Sequence, residues 1–202
     1  MLKELLNKLT LEEKIGQLVQ VDPSVYDPSD KTELFGVSNS TYYVKKDRYL
    51  YGSILGINNK NHAIRIQKQY LENAKHKIPL LFMSDVIHGC NTIFPVPLAQ
   101  AASFNRNLVR KAASIAAKEA ASSGIHVTFS PMVDVTRDIR WGRVTEGYGE
   151  DAYLTGEMGY ELVKGYQGDF SNDNIAACLK HFAGYGAPEA GRDYNEVTLS
   201  KE

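Results

Sequence analysis

Residues 80–89 read Leu-Leu-Phe-Met-Ser-Asp-Val-Ile-His-Gly, an apolar run that ends abruptly in a polar cluster. The same change occurs where residues 126–129 (His-Val-Thr-Phe) lead to Asp134, and where residues 175–179 (Ile-Ala-Ala-Cys-Leu) lead to Lys180-His181. Parallel strands buried on both faces are apolar along their length, so charge appears only where a strand leaves the sheet. In α/β barrels that carboxyl end carries the chemistry. The pattern therefore predicts parallel strands with a functional site at their ends.

Helical spacing of apolar residues fills the intervals between these strands, and a further strand is predicted at about 53–57. The predicted helices and their apolar faces are 61–74 with Ala63, Ile66 and Tyr70, 107–123 with Leu108, Ala112, Ile115 and Ala116, and 153–167 with Leu154, Met158 and Leu162. Strands that alternate with helices at this spacing indicate right-handed βαβ units and a parallel sheet.

The amino-terminal residues lead into this pattern. Thr10-Leu11-Glu12-Glu13 is a capping box, which predicts a helix that continues through Leu18 and ends before Pro23. From Tyr26 to Tyr51 no period is sustained, which is typical of a loop. We therefore divide the chain into a helical and loop lead-in over 1–52 and βα units over 53–202.

The number of strands predicts an incomplete barrel. About four strands are expected in 202 residues, whereas a closed (β/α)₈ barrel has eight and typically about 250 residues. The predicted fold class is α/β, as the amino-terminal half of a (β/α)₈ TIM-type barrel with about four parallel strands and intervening helices.

Composition excludes several classes of partner and ligand. The net charge of −1 gives no field that would hold nucleic acid or an anionic membrane. The alternation of charge and Leu over residues 1–14 contains no secretory or membrane-spanning run, so we expect a cytoplasmic protein. Cys90 and Cys178 are expected as reduced thiols, and no spacing supports a metal site or a phosphate-binding glycine loop.

Two connections of about twenty residues, 85–104 and 131–150, are longer than βα loops usually are, which indicates function. In the first, Asp85 leaves a strand end and can accept two hydrogen bonds from a polyol, or it can cap the loop. His88 is interpreted as a packed loop histidine. In the second loop, most charges are expected to be structural pairs, and Arg143 is assigned to the pocket because a guanidinium grips paired oxygens. Trp141 either stacks on a ring or packs.

Lys180-His181 directly follows the fourth predicted strand. Adjacent residues on an extended backbone point to opposite sides, so a pocket that uses both requires an unusual backbone there. The glycines at 184 and 186 make such a backbone easier.

The motifs together resemble the amino-terminal domain of family 3 glycoside hydrolases, collinear over nearly the whole chain. The motifs that carry the resemblance are Leu-Thr-Leu-Glu-Glu-Lys-Ile-Gly-Gln-Leu at 9–18, Ser-Asp-Val-Ile-His-Gly at 84–89, Pro-Met-Val-Asp-Val at 131–135, Arg-Trp-Gly-Arg at 140–143, Glu-Gly-Tyr-Gly-Glu-Asp at 146–151 and Lys-His-Phe-Ala-Gly-Tyr-Gly at 180–186. Gly-Arg-Asp-Tyr-Asn at 191–195 favours the bacterial β-glucosidase and β-xylosidase branch. The N-acetylhexosaminidase branch typically has a second His where this chain has Tyr185.

The resemblance implies a retaining hydrolase that removes β-linked glucosyl or xylosyl residues from the non-reducing end and needs no cofactor. In the family, the residues matching Asp85, Arg143, Lys180 and His181 hold the hydroxyls of the terminal sugar. The nucleophile is an Asp later in the barrel and the acid/base is a Glu from a following domain. No catalytic residue is therefore expected in these 202 residues, and the chain alone is expected to be inactive.

Two hypotheses about the role of the chain stay open. In the first, it is a fragment of a β-glucosidase whose partner is the missing carboxy-terminal half. In the second, it is a non-catalytic sugar-binding or assembly module, which pairs with another copy of itself through open sheet edges.

Overall fold

The computed structural model describes residues 2–27, 48–57 and 59–200, so most of the predicted loop over 26–51 lies outside the described residues. Within the described residues the chain forms six α-helices and five short β-strands. In chain order these are α1 (Leu2–Lys8), α2 (Leu11–Gly16), β1 (Gln20–Val21), β2 (Ser53–Leu55), α3 (Lys60–Asn73), β3 (Leu81–Ser84), α4 (Pro97–Ala102), α5 (Arg106–Ser122), β4 (Val127–Thr128), α6 (Ala152–Gln167) and β5 (Ala176–Ala177). None of these helices is both long and apolar enough to cross a bilayer.

The chain divides into two compact units. Unit 1 contains Met1–Ser84 and Ser123–Ile125, and unit 2 contains Asp85–Ser122 and His126–Glu202. In unit 1, β1 pairs with β2 and β2 pairs with β3. In unit 2, β4 pairs with β5. Every one of these pairings is parallel, and helices alternate with the strands from β2 onward, so the α/β fold class is confirmed.

The prediction of a long helix after Thr10 was wrong at its end. Helix α2 stops at Gly16, and Gln20–Val21 instead forms β1 against Ser53 and Ile54. The backbone N–H of Gly52, the residue before β2, donates to the Gly16 carbonyl. This contact competes with the continuation of helix α2 beyond Gly16. Leu18, assigned to the apolar helix face, is 86% exposed. The predicted lead-in over 1–52 therefore already contains a strand of the parallel arrangement.

The core of unit 1 lies between its strands and helix α3, and it confirms the predicted face of that helix. Ala63, Ile66 and Tyr70 are all buried there. They form one apolar cluster with Ile54 of β2 and Phe82 of β3. The apolar strand residues and the helical period therefore meet in one core.

Glu13 of unit 1 contacts Thr10, Lys75 and His76. The predicted capping box is present, with the Thr10 N–H donating to Glu13 and the Glu13 N–H donating to the Thr10 hydroxyl. Lys75 Nζ donates to Glu13 Oε1 at 2.8 Å, and His76 Nε2 lies 3.1 Å from Oε2. The hydrogen bond from Lys75, followed by that from the Thr10 backbone, lowers the pKa of Glu13 from 4.5 to about 2.

This lowered pKa predicts how unit 1 responds to acid. Because the pKa of Glu13 is lower in the folded chain, its contribution to stability is present above pH 4.5 and is lost as the pH falls toward 2. We expect Glu13→Gln to lower the melting temperature at pH 7 and to flatten its decline between pH 4.5 and 2. Circular dichroism measures both. The matched control is Glu72→Gln, since Glu72 is exposed on α3, and equal curves for the two variants contradict the prediction.

In unit 2, helices α5 and α6 pack closely, and the predicted buried face of α5 is confirmed at Ala116 but wrong at two other positions. Leu108 is 57% exposed and Ile115 is 37% exposed. The residues buried together with Ala116 are Val109, Ala113, Ala117 and Ala120. Small side chains face α6 because its Gly165 lies against the α5 backbone. On α6, the predicted face is confirmed at Met158 and Leu162, which are buried.

Unit 2 continues its strand pairing beyond β4 and β5. Met132 forms a parallel bridge with Lys180, and the Val133 N–H donates to the Lys180 carbonyl. The segments that follow β4 and β5 are thereby held side by side. This pairing places Asp134 beside His181.

Candidate functional site

Asp85 and Lys180 form an ion pair in unit 2. Asp85 directly follows β3 in the sequence, and Lys180 comes shortly after β5. Lys180 Nζ donates to Asp85 Oδ1 at 2.8 Å. The Asp85 side chain is 50% exposed, whereas that of Lys180 is 13% exposed. The pair therefore presents carboxylate oxygens and the remaining ammonium protons to a ligand.

His181 is held by Asp134 through two hydrogen bonds. The His181 backbone N–H donates to Asp134 Oδ2 at 3.0 Å, and ring Nδ1 lies 2.8 Å from the same oxygen. Asp134 is 2% exposed at its side chain and His181 is 31% exposed. The Lys180–His181 peptide bond is cis. A second cis bond, Phe182–Ala183, follows it.

Arg143 is fixed by a bidentate pair with Glu146. Its Nε and Nη2 each donate to one Glu146 oxygen at 2.7 Å. This pairing raises the pKa of Arg143 and lowers that of Glu146. Coulomb attraction from Lys180 and His181 also lowers the Glu146 pKa. Arg143 is thus anchored in the same part of unit 2 as Lys180 and His181.

Tyr185 connects Arg143 with His181. The guanidinium carbon of Arg143 lies 5.4 Å from the Tyr185 ring centroid, and the His181 ring packs edge-on at 4.5 Å between centroids. Arg143 Nη1 donates to the Tyr185 hydroxyl at 3.4 Å, and that hydroxyl donates to Asp193 at 2.8 Å. Burial is the main cause that raises the pKa of Tyr185, to about 12. The Tyr185 hydroxyl therefore keeps its proton at neutral pH.

Trp141 packs under this cluster. It is 2% exposed, its ring centroid lies 5.2 Å from that of Tyr185, and its indole N–H donates to Asp193 at 2.8 Å. Of the two interpretations of Trp141, the structure supports packing. His88 likewise packs within its loop, with Nδ1 2.8 Å from the Phe94 carbonyl oxygen.

The four residues assigned from the sequence lie in one connected network of unit 2. Asp85 contacts Lys180, whose neighbour His181 contacts Tyr185, and Tyr185 contacts Arg143. An ionised carboxylate only accepts hydrogen bonds, whereas ammonium and guanidinium groups only donate them. Such a set can bind a ligand that carries several hydroxyls, because a hydroxyl both donates and accepts.

Sequence reasoning did not assign the residues that hold this network to the site. The strand-end pattern singled out Asp134, which follows an apolar run just as Asp85 does, but it did not show that Asp134 contacts His181. Glu146 was expected to be structural, and it pairs with Arg143. Asp193 lies in the motif at 191–195, but nothing in the sequence indicated its contact with Trp141, since the two residues are far apart in the chain and meet only through the fold.

Comparisons with known proteins agree with the sequence resemblance. The profile of the glycosyl hydrolase family 3 N-terminal domain matches residues 10–202. The periplasmic β-glucosidase of Salmonella typhimurium is 40% identical over 201 residues, and a β-xylosidase of Formosa agariphila is 36% identical over 137 residues, 61% of this chain and 19% of that protein. The crystal structure of a β-glucosidase from Listeria innocua in complex with isofagomine superposes with a TM-score of 0.91 at 46% identity.

The chain spans only part of these relatives. Its match covers 98% of this chain but 25% of the Salmonella protein and 28% of the Listeria protein. The parallel strands and intervening helices correspond to the amino-terminal part of the family's TIM-type barrel. The chain belongs to glycosyl hydrolase family 3, as a portion of its N-terminal domain.

Proposed function

We propose that this chain supplies part of the sugar-binding site of a retaining β-glucosidase-type hydrolase, which removes terminal β-linked glucosyl or xylosyl residues. The observation that carries the proposal is the network joining Asp85, Lys180, His181 and Arg143. Its donors and acceptors alternate as the hydroxyls of a pyranose require. The Listeria relative has also been crystallised with glucose, and a mutant form of it with laminaribiose.

The chain by itself is proposed to be inactive. Retaining hydrolysis uses two carboxyl groups about 5–5.5 Å apart, one as nucleophile and one as acid/base. The family resemblance assigns both groups to segments beyond these 202 residues. Charge-assisted hydrogen bonds contribute roughly 1.5–3 kcal/mol each, so contacts to sugar hydroxyls cannot replace the covalent step.

Exposed apolar side chains beside the site support a partner. Leu179 and Phe182 flank Lys180-His181 and are 56% and 106% exposed. Contiguous exposed apolar patches mark surfaces that other protein covers, and we propose that these two side chains belong to such a patch. We infer that the missing carboxy-terminal half covers them in the active protein.

The test is reconstitution. The chain is coexpressed with a carboxy-terminal segment that supplies what the relatives contain beyond their match to it, and an aryl β-glucoside is assayed. We expect turnover from the complex and none from either part. A stable complex without turnover on glucoside or xyloside contradicts the proposal.

Within the reconstituted complex, Asp85→Asn is expected to lower kcat/KM at least tenfold. The change removes the charged acceptor that contacts Lys180, and a hydrogen bond to a charged group is worth roughly 1.5–3 kcal/mol, or about 10- to 150-fold. Asp173→Asn is the matched control, since Asp173 pairs with Lys118 at an exposed position. Equal losses in both variants indicate general damage and not a site contact.

A second candidate function rests on the same exposed Leu179 and Phe182, which a second copy of the chain could cover. This candidate requires a dimer that binds glucose without hydrolysing it. The mass in solution and titration calorimetry with glucose test this candidate. A monomer that does not bind glucose excludes the candidate. The cytoplasmic location stays a prediction, which fractionation of the source cells tests.

A further inference from the structure

The contact between Asp134 and His181 has a consequence for how His181 meets a ligand. Both bonds to His181 use the same carboxylate atom, Oδ2, and the Asp134 side chain is 2% exposed. The backbone N–H is always a donor, so Oδ2 accepts at least one of the two bonds. The ring orientation is further restricted by the Tyr185 ring, which lies edge-on at 4.5 Å.

A carboxylate that only accepts requires the facing ring nitrogen to carry a proton. In the neutral imidazole one nitrogen is protonated and the other accepts, and the partner of one nitrogen decides the state of the other. With Nδ1 donating to Asp134 at 2.8 Å, the neutral ring has its lone pair on Nε2.

We propose that Asp134 is a positioning residue, which holds His181 as the Nδ1–H tautomer and thereby presents Nε2 as a hydrogen-bond acceptor. The tautomer follows from the distance between Nδ1 and Oδ2 together with the ionised, acceptor-only carboxylate of Asp134. That the acceptor receives a hydroxyl hydrogen from a sugar rests on the proposed function.

This assignment specifies the ligand more closely. Lys180 and Arg143 can only donate hydrogen bonds, whereas Asp85 and a bare Nε2 can only accept them. A hydroxyl at His181 must then donate. The same position would reject a carbonyl or ether oxygen, because two acceptors would face each other.

The tautomer is measured directly on the 202-residue chain. Long-range ¹H–¹⁵N spectra of histidine-labelled protein at pH 8.5 distinguish a protonated from a bare ring nitrogen, and His181→Gln identifies the signals. We expect a protonated Nδ1 and a bare Nε2. A protonated Nε2, alone or together with Nδ1, overturns the proposal, and this wild-type readout needs no variant to fold.

Asp134→Asn separates positioning from a purely structural role. Its amide can offer an N–H to the ring, so we expect the Nε2–H form to become populated. Asp138→Asn is the control, because Asp138 lies in the same loop and pairs with Arg140, and it should leave the His181 spectrum unchanged. A folded Asp134→Asn chain with the wild-type tautomer contradicts the proposal.

The two proposals fail separately. If the reconstituted complex is active, Asp134→Asn should lower kcat/KM about tenfold, the loss of one hydrogen bond of roughly 1.4 kcal/mol. No turnover together with a bare Nε2 rejects the sugar site but retains the positioning role. Full turnover with a protonated Nε2 rejects the positioning role alone.

Discussion

Replacing Trp141 with alanine is expected to lower the free energy of unfolding by about 3–5 kcal/mol, the range for a large buried aromatic. The side chain is 2% exposed, so truncation leaves a cavity beneath Tyr185. It also removes the indole N–H from Asp193, whose pKa that bond lowers. Trp141 is the single tryptophan of the chain, so its replacement removes the tryptophan fluorescence that would report unfolding. Urea unfolding is therefore followed by circular dichroism.

Trp141→Phe is the matched variant, since it keeps an aromatic ring and removes the N–H donor. We expect a smaller loss of about 1–2 kcal/mol, mainly the cost of the missing hydrogen bond. If Trp141→Ala leaves the unfolding midpoint unchanged and weakens only sugar binding, the residue stacks on the ligand and the packing interpretation fails.

Replacing Gly165 with valine is expected to cost about 3 kcal/mol, at the upper end for overpacking. A Cβ at this position of α6 would lie 2.5 Å from the Arg110 carbonyl oxygen and 2.6 Å from Ala113 Cβ, both on α5. One obstruction is backbone, so the two helices must separate. Thermal and urea unfolding measure the loss.

Gly156 provides the control on the same helix. A Cβ there would meet nothing within 4 Å, so Gly156→Val should change the free energy of unfolding by less than about 0.5 kcal/mol. Equal losses at 156 and 165 contradict the prediction, because only Gly165 lies against α5.

Strand positions were predictable because the strands of a parallel sheet have sequences that are near-continuous apolar runs. Strand β3 begins within such a run at residues 80–83, and Asp85, which follows the strand, pairs with Lys180 of another strand end. The capping box at Thr10 was predictable because its hydrogen bonds are local. Strand β1 forms by pairing with the distant residues Ser53 and Ile54, so the helical period of its local sequence was misleading.

The buried face of α5 shows the same limit. Hydrophobicity pointed to Leu108, yet alanines are buried because Gly165 of α6 allows a close approach that large side chains would block. Which residues of α5 are buried therefore depends on the shape of α6, and the sequence of α5 alone does not determine it.

The amino-acid sequence by itself determined the α/β class, the family and the strand ends that carry Asp85 and Lys180-His181, because apolar runs and local caps act over short distances. Only the tertiary structure decided which charges meet. Asp134 holds His181 across 47 positions of sequence, and Asp193 meets Trp141 across 52. Which hydrogen-bond partners meet over such distances depends on the path of the chain. The residue types alone do not select them, because any exposed carboxylate could accept the same hydrogen bond.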